Sequence, residues 1–194
     1  KIKKESDSQK VMSILWLFKI LTNSFNSDLS SLLWSTYYGG TADDAGYSIQ
    51  LSSINEPIIT GGTMSSDLFT SNGAINTSNS GNQDGFIAKF NGTGNSINAA
   101  TYIGTNLYDQ CYFIQTDLND NIYVYGQTEG IYPIAPASIY NNPGSGQFIH
   151  KLNPDLSSTE FSTVFGSGNG INIAPSAFLV SDCELIYVSG WGGN

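Results

Sequence analysis

Asp43 and Asp44 follow the glycine pair Gly39-Gly40, and Asp109 stands at the equivalent place about one repeat later. A carboxylate that recurs once per repeat could line a shared channel or offer hard oxygen ligands to Ca²⁺. The simpler chemistry is local, because an aspartate after a glycine-rich turn accepts backbone N–H bonds and closes that turn. Turn closure is the expectation, with ligand binding at Asp43, Asp44 and Asp109 as the sharper alternative. The third unit carries Asn169-Gly170-Ile171-Asn172 instead of an acidic pair, which argues against a symmetric metal ring. No cofactor and no metal ligand set is expected, and Ca²⁺ is the one cation that the acids could take.

The other reactive side chains read in the same way. Asp117-Leu118-Asn119-Asp120-Asn121 imitates the start of a calcium loop but has neither the bend glycine nor the distal glutamate, so it reads as a hairpin turn. His150 is the only histidine, and no serine, cysteine or carboxylate stands in sequence to make it a base, so a structural role is expected. Lys89 and Lys151 recur in matching strand-like runs, Phe86-Ile87-Ala88-Lys89-Phe90 and Phe148-Ile149-His150-Lys151-Leu152, and Lys19 in Phe18-Lys19-Ile20 reads as their earlier echo. Alternation places each lysine opposite its apolar neighbours, with its stem on the sheet and its ammonium near an acidic turn. Most tyrosines lie in strand-like runs and read as packing. Trp191, just past Gly190, reads as a ligand-binding candidate beyond a strand end. No residue is assigned a catalytic role.

Composition narrows the field before structure does. Seven basic against sixteen acidic residues give a net charge of −9, which repels nucleic acid and anionic membranes. With 21 glycines, 11 tyrosines and only 12% charged residues, the chain suits short strands and tight turns better than helices. The apolar run Val11 to Phe18 is too short to span a bilayer and reads as a first strand. Cys111 and Cys183 take different places in the repeat, and nothing requires them to pair.

The elements that must position these residues repeat about three times. Thr36-Tyr37-Tyr38-Gly39 returns as Thr101-Tyr102-Ile103-Gly104 and as Thr163-Val164-Phe165-Gly166. A second landmark, Ile58-Ile59-Thr60-Gly61, returns as Tyr123-Val124-Tyr125-Gly126 and as Tyr187-Val188-Ser189-Gly190. From Thr36 to Thr101 is 65 residues and from Thr101 to Thr163 is 62, the length of a four-stranded sheet with its loops. The stretch 86–128 reads as four antiparallel strands followed by a long loop, which is the plan of a β-propeller blade. The loops 65–85 and 130–146 are too long to be structureless in a compact fold and are expected to pack apolar anchors on a sheet edge.

Ser35-Thr36-Tyr37-Tyr38-Gly39-Gly40, Asp43-Asp44-Ala45-Gly46-Tyr47-Ser48-Ile49, Ile58-Ile59-Thr60-Gly61-Gly62-Thr63 and Asp84-Gly85-Phe86-Ile87-Ala88-Lys89-Phe90 together resemble the seven-bladed β-propeller repeat of bacterial surface proteins. The closing Ile186-Tyr187-Val188-Ser189-Gly190-Trp191-Gly192-Gly193 is similar to versions found in secreted proteins of Bacteroidetes-type bacteria. The expected fold is therefore all-β, an open arc of about three four-stranded antiparallel blades. Its parts are a lead-in at 1–17 and repeats at 18–85, 86–147 and 148–194, the last truncated. The resemblance implies an extracellular or cell-surface module that serves as scaffold, adhesion or ligand-binding unit. Its expected partners are the remaining blades and domains of a larger protein, and a glycan or surface protein. The alternative is a fragment of a propeller enzyme, a lyase or hydrolase acting on polysaccharide.

Overall fold

The computed structural model describes residues 19–192. The lead-in at 1–17 and the strand read at Val11 to Phe18 lie outside the described residues. Twelve strands follow in order: β1 (Ile20–Phe25), β2 (Leu32–Tyr38), β3 (Asp44–Leu51), β4 (Pro57–Thr63), β5 (Asp84–Phe90), β6 (Ile97–Ile103), β7 (Asp109–Thr116), β8 (Ile122–Thr128), β9 (Gln147–Leu152), β10 (Thr159–Phe165), β11 (Ile173–Val180) and β12 (Ile186–Gly192). They form two four-stranded antiparallel sheets, β3-β4-β5-β6 and β7-β8-β9-β10, flanked by two-stranded sheets β1-β2 and β11-β12. The fold is all-β and open, a partial propeller-like succession of sheets.

The phase of the sheets differs from the strand grouping read along 86–128. Strands β5 and β6 finish one sheet, whereas β7 and β8 begin the next. The long segments after Thr63 and Thr128 therefore connect the second and third strands of one sheet, and the short link from Gly104 to Tyr108 connects sheets. At that link Gln83 and Tyr108 form a parallel bridge and Asp109 N–H donates to Gln83 O, so the chain enters the new sheet beside the old one instead of extending its edge.

Each long segment folds back over the outer strand of its own sheet. Ser71 N–H donates to Ala100 O and Tyr102 N–H to Asn76 O along β6, while Ala135 and Ser162 exchange bonds along β10. Leu68 is buried, and Ile75 and Ile134 pack against the core as apolar anchors. The outer edges, which would otherwise invite pairing with another chain, are covered.

The glycine landmark has a steric cause. In the three sheets that begin with β3, β7 and β11, that first strand carries a bulge, between Gly46 and Ser48, Cys111 and Phe113, or Pro175 and Ala177, and the residue facing it across the ladder is Gly61, Gly126 or Gly190. The bulge pushes backbone toward its partner, and a side chain there has no room.

A turn motif that escaped the sequence reading joins the third and fourth strands. Asn26, Asn91 and Asn153 each accept a backbone N–H three residues on, from Leu29, Gly94 and Leu156, and those three residues adopt φ of 58°, 68° and 62°. The side-chain Oδ1 of each asparagine also accepts backbone N–H groups of the same turn. This motif corrects the lysine register. Leu21 faces Tyr37 as Phe86 faces Tyr102, so β1 aligns with β5 through Leu21 and Phe25, and Ser24 takes the place of Lys89. Lys19 precedes β1 and is no echo of Lys89 and Lys151.

Three apolar layers separate the four sheets. Ile20, Tyr38, Phe86, Phe90 and Tyr102 fill the first, Ile58, Ile87, Cys111, Ile114, Val124 and Phe148 the second, and Tyr123, Tyr125, Ile149, Phe178 and Val180 the third. Aromatic side chains meet both edge-on and stacked in these layers, as Tyr38 does with Phe90 at 6.1 Å and Tyr132 with Phe148 at 4.0 Å.

Candidate functional site

Asp44 opens β3 and is almost fully buried. Its Oδ2 accepts the Gly40 N–H at 2.8 Å and the Ser65 hydroxyl at 3.0 Å, and its Oδ1 accepts the Thr63 hydroxyl at 2.5 Å. Asp109 opens β7 in the same role. Its Oδ2 accepts the N–H of Thr105 at 2.6 Å and the Thr105 hydroxyl at 2.7 Å, and the Thr128 hydroxyl lies beside the carboxylate as Thr63 lies beside Asp44. Burial pushes the Asp109 carboxyl above its ordinary range, and the hydroxyl and backbone donors work against that rise. Each carboxylate closes the turn that enters its sheet. In the β11-β12 sheet Ile173 takes this place, facing Gly192 as Asp44 faces Thr63.

The sequence candidates are not gathered into one site. Asp44 and Asp109 share no hydrogen-bond partner, and Asp43 is exposed, engaged through its backbone oxygen by Met64 N–H. Trp191 lies within β12, opposite Ala174, and is 73% exposed, so it is a strand residue and not a loop residue beyond the strand end. Among the described residues no group of three or more His, Cys, Asp or Glu side chains comes together in a way that could hold a metal ion.

Replacement of Asp44 by alanine strands a buried backbone N–H and two hydroxyls. It is expected to cost about 2 kcal/mol in urea denaturation, whereas Asp43→Ala should stay within about 0.5 kcal/mol of the parent chain.

The remaining polar residues are drawn into packing. Asp117 closes the β7–β8 turn by accepting the N–H groups of Asn119 and Asn121, as a hairpin turn requires. Lys151 meets Asp117 at 3.0 Å and Glu184 at 2.9 Å, and its ammonium sits 4.8 Å from the centre of the Tyr123 ring. Burial alone would lower the lysine, but hydrogen bonds to Tyr123, Glu184 and Asp117 outweigh it and hold the ammonium charged. Glu184 belongs to the β11–β12 turn, so this cluster pins the β11-β12 sheet to the β7–β10 sheet. Asp120 does the same one joint earlier, accepting the Ser53 N–H at 2.7 Å and the Ser53 hydroxyl at 2.6 Å. Lys89 reaches forward to Pro154 O at 2.7 Å. The acidic turn expected beside the lysine ammonium is met at Lys151, but which residues form these inter-sheet clamps was not visible in sequence, because the partners lie 33 to 67 residues apart.

His150 is buried, with Nδ1 2.9 Å from the Tyr132 hydroxyl and Nε2 2.8 Å from the Thr159 hydroxyl. Burial lowers it to about 4, and no carboxylate touches it. The imidazole is neutral near pH 7 and bridges two hydroxyls, a structural role. Cys111 is buried and Cys183 exposed, and both are free thiols.

No family model matches this chain. No curated protein matches it either. Among the described residues no helix is long and apolar enough to cross a membrane.

Proposed function

We propose that the chain is a non-enzymatic, propeller-like module that acts as scaffold or binding unit in an extracellular or cell-surface assembly. The observation that carries this reading is the fate of the repeated carboxylates: Asp44 and Asp109 are spent on closing turns, and Asp117 and Glu184 on holding Lys151. A hydrolase that cleaves polysaccharide needs carboxylates aimed at a shared cleft, with one free to hold a proton and another to activate water or attack. The residue-level resemblance to the bacterial surface-protein repeat supports the setting, and a net charge of −9 fits partners other than nucleic acid.

The test runs a glycan array and a Ca²⁺ titration beside a turnover assay on neutral and acidic polysaccharides. Retention of a glycan without bond cleavage supports the reading. Cleavage of any of these polysaccharides by the chain overturns it and establishes the enzyme alternative.

A further inference from the structure

Asp84 opens β5 and Asp109 opens β7, and both carboxylates are fully buried. The two side chains meet across Gly104, where the place of the missing Cβ lies 2.8 Å from Asp84 Oδ1 and 3.1 Å from Asp109 Cβ. One oxygen of each acid closes a turn: Asp84 Oδ2 accepts the Ser80 N–H at 2.7 Å, and Asp109 Oδ2 accepts the N–H and the hydroxyl of Thr105. The other oxygen of each, Oδ1, has no hydrogen-bond partner among the described residues. Two neighbouring buried carboxylates, each with an unpartnered oxygen, call for positive charge.

The matching links show that this arrangement is particular to Gly104. At Gly39 the acid stands beside a lysine stem, with Asp44 Oδ2 2.7 Å and Lys19 Cγ 3.4 Å from the place of the missing Cβ. The ladder puts Lys19 two residues before Leu21, as Asp84 stands two before Phe86. Both oxygens of Asp44 have donors. At Gly166 the neighbour is the uncharged Gln147 amide, and Ile173 takes the place of the acid. Gln147 Oε1 also lacks a partner, but a neutral oxygen costs less to bury than a carboxylate. The described lysines stand elsewhere: Lys19 at Gly39, Lys89 beside Glu56, and Lys151 between Asp117 and Glu184. Only the Gly104 link therefore sets two acids together with no cation of the chain to balance them.

We propose that Asp84 and Asp109 bind one Ca²⁺ between their Oδ1 atoms. Both donors are hard oxygens, and Ca²⁺ accepts about six to eight of these in flexible geometry, with water completing the shell, whereas Mg²⁺ demands a near-ideal octahedron. The Thr128 hydroxyl beside Asp109 adds a neutral oxygen. Bound there, the ion ties β5 to β7 and clasps the β3–β6 sheet to the β7–β10 sheet, as Lys151 clasps the next pair.

The experiment uses the whole chain, stripped of metal with EDTA and held near neutral pH. Equilibrium dialysis should count one Ca²⁺ per chain, and about 10 mM Ca²⁺ should raise Tm by at least about 3 °C over the chelated chain. Asp84→Asn should abolish the binding and the shift. In chelator it should be at least as stable as the parent, because it removes one of two facing charges, so its loss of Ca²⁺ is not a loss of fold. Asp109→Asn should lose both as well; should that variant fail to fold, Asp84→Asn decides alone. Asp43→Asn, at an exposed acid of the neighbouring link, should keep both. A parent chain that takes up no Ca²⁺ overturns the proposal, as does an Asp84→Asn chain that keeps the shift or a shift that is lost in Asp43→Asn instead. Polysaccharide cleavage would sink the binding reading above and leave this count of ions untouched.

Discussion

Gly61→Ala is expected to cost at least about 4 kcal/mol, a large part of the roughly 5–15 kcal/mol that holds a domain folded. A methyl group at residue 61 would fall inside the contact distance of the Ala45 carbonyl oxygen, which belongs to the bulged backbone of β3 and cannot rotate away. Gly126→Ala meets two obstacles, the Gln110 carbonyl and the Phe148 ring, and should cost as much. Overpacking usually costs about 1–3 kcal/mol because side chains yield, and here the obstacle is main chain. Gly73→Ala is the control. That glycine has φ of 84° and nothing within 4 Å of the added methyl, so only backbone strain of about 1 kcal/mol is expected. Urea midpoints for the three variants test the ordering. Equal losses at Gly61 and Gly73 would mean that the landmark glycine is selected for its dihedral freedom and not for close approach.

The same glycine shows how far the sequence could be read. Its spacing, with that of the threonine-aromatic-glycine echo, places the strands, because strand composition and turn residues are local properties. Which strands share a sheet is not local. Strands β6 and β7 are adjacent in sequence yet belong to different sheets, and that choice is made where Asp109 N–H meets Gln83 O, 26 residues back. The lysine register at Lys19 went astray because a three-residue match outweighed the asparagine turn, whose signal is one side chain and one residue of positive φ. The chemistry of Asp44 and Asp109 was legible, since a carboxylate two to five residues past a glycine has backbone donors within reach. That the Lys151 ammonium meets an acidic turn was legible too; that Glu184 is part of it was not, since only the stacking of sheets brings the two together.

A further consequence of that stacking is a pair of opposed titrations. Asp84 opens β5 fully buried, with Oδ2 accepting the Ser80 N–H at 2.7 Å and Oδ1 without a hydrogen-bond partner among the described residues. Burial lifts its carboxyl to about 6; the Ser80 and Gly81 N–H groups oppose the rise, and the neighbouring Asp109 adds to it. The joint between β1-β2 and the next sheet has Lys19 in that position, beside Asp44, and the joint after it in sequence has the two acids together across Gly104. Because the folded state holds this proton more tightly than the unfolded chain, its contribution is fully present below about 3.8 and disappears as pH rises through about 6. His150 runs the other way. Its folded value of about 4 lies below the ordinary 6.5, so its contribution is present above 6.5 and is lost as pH falls through 4. Each amounts to about 2–3 kcal/mol. Between pH 4 and 6 the two nearly cancel, and the parent chain should show a shallow dependence there. Asp84→Asn lets an amide face Asp109, as the Gln147 amide already lies beside Gly166 one joint later. It should stabilise the chain by about 2 kcal/mol at pH 7 and expose a stability that climbs from pH 4 to 6.5. His150→Gln should leave a stability that falls over the same interval. Urea denaturation at half-unit steps of pH, read as variant minus parent, removes the contributions of every other carboxylate. If the two differences have the same sign of slope, the burial of one of these groups is not what sets its proton affinity.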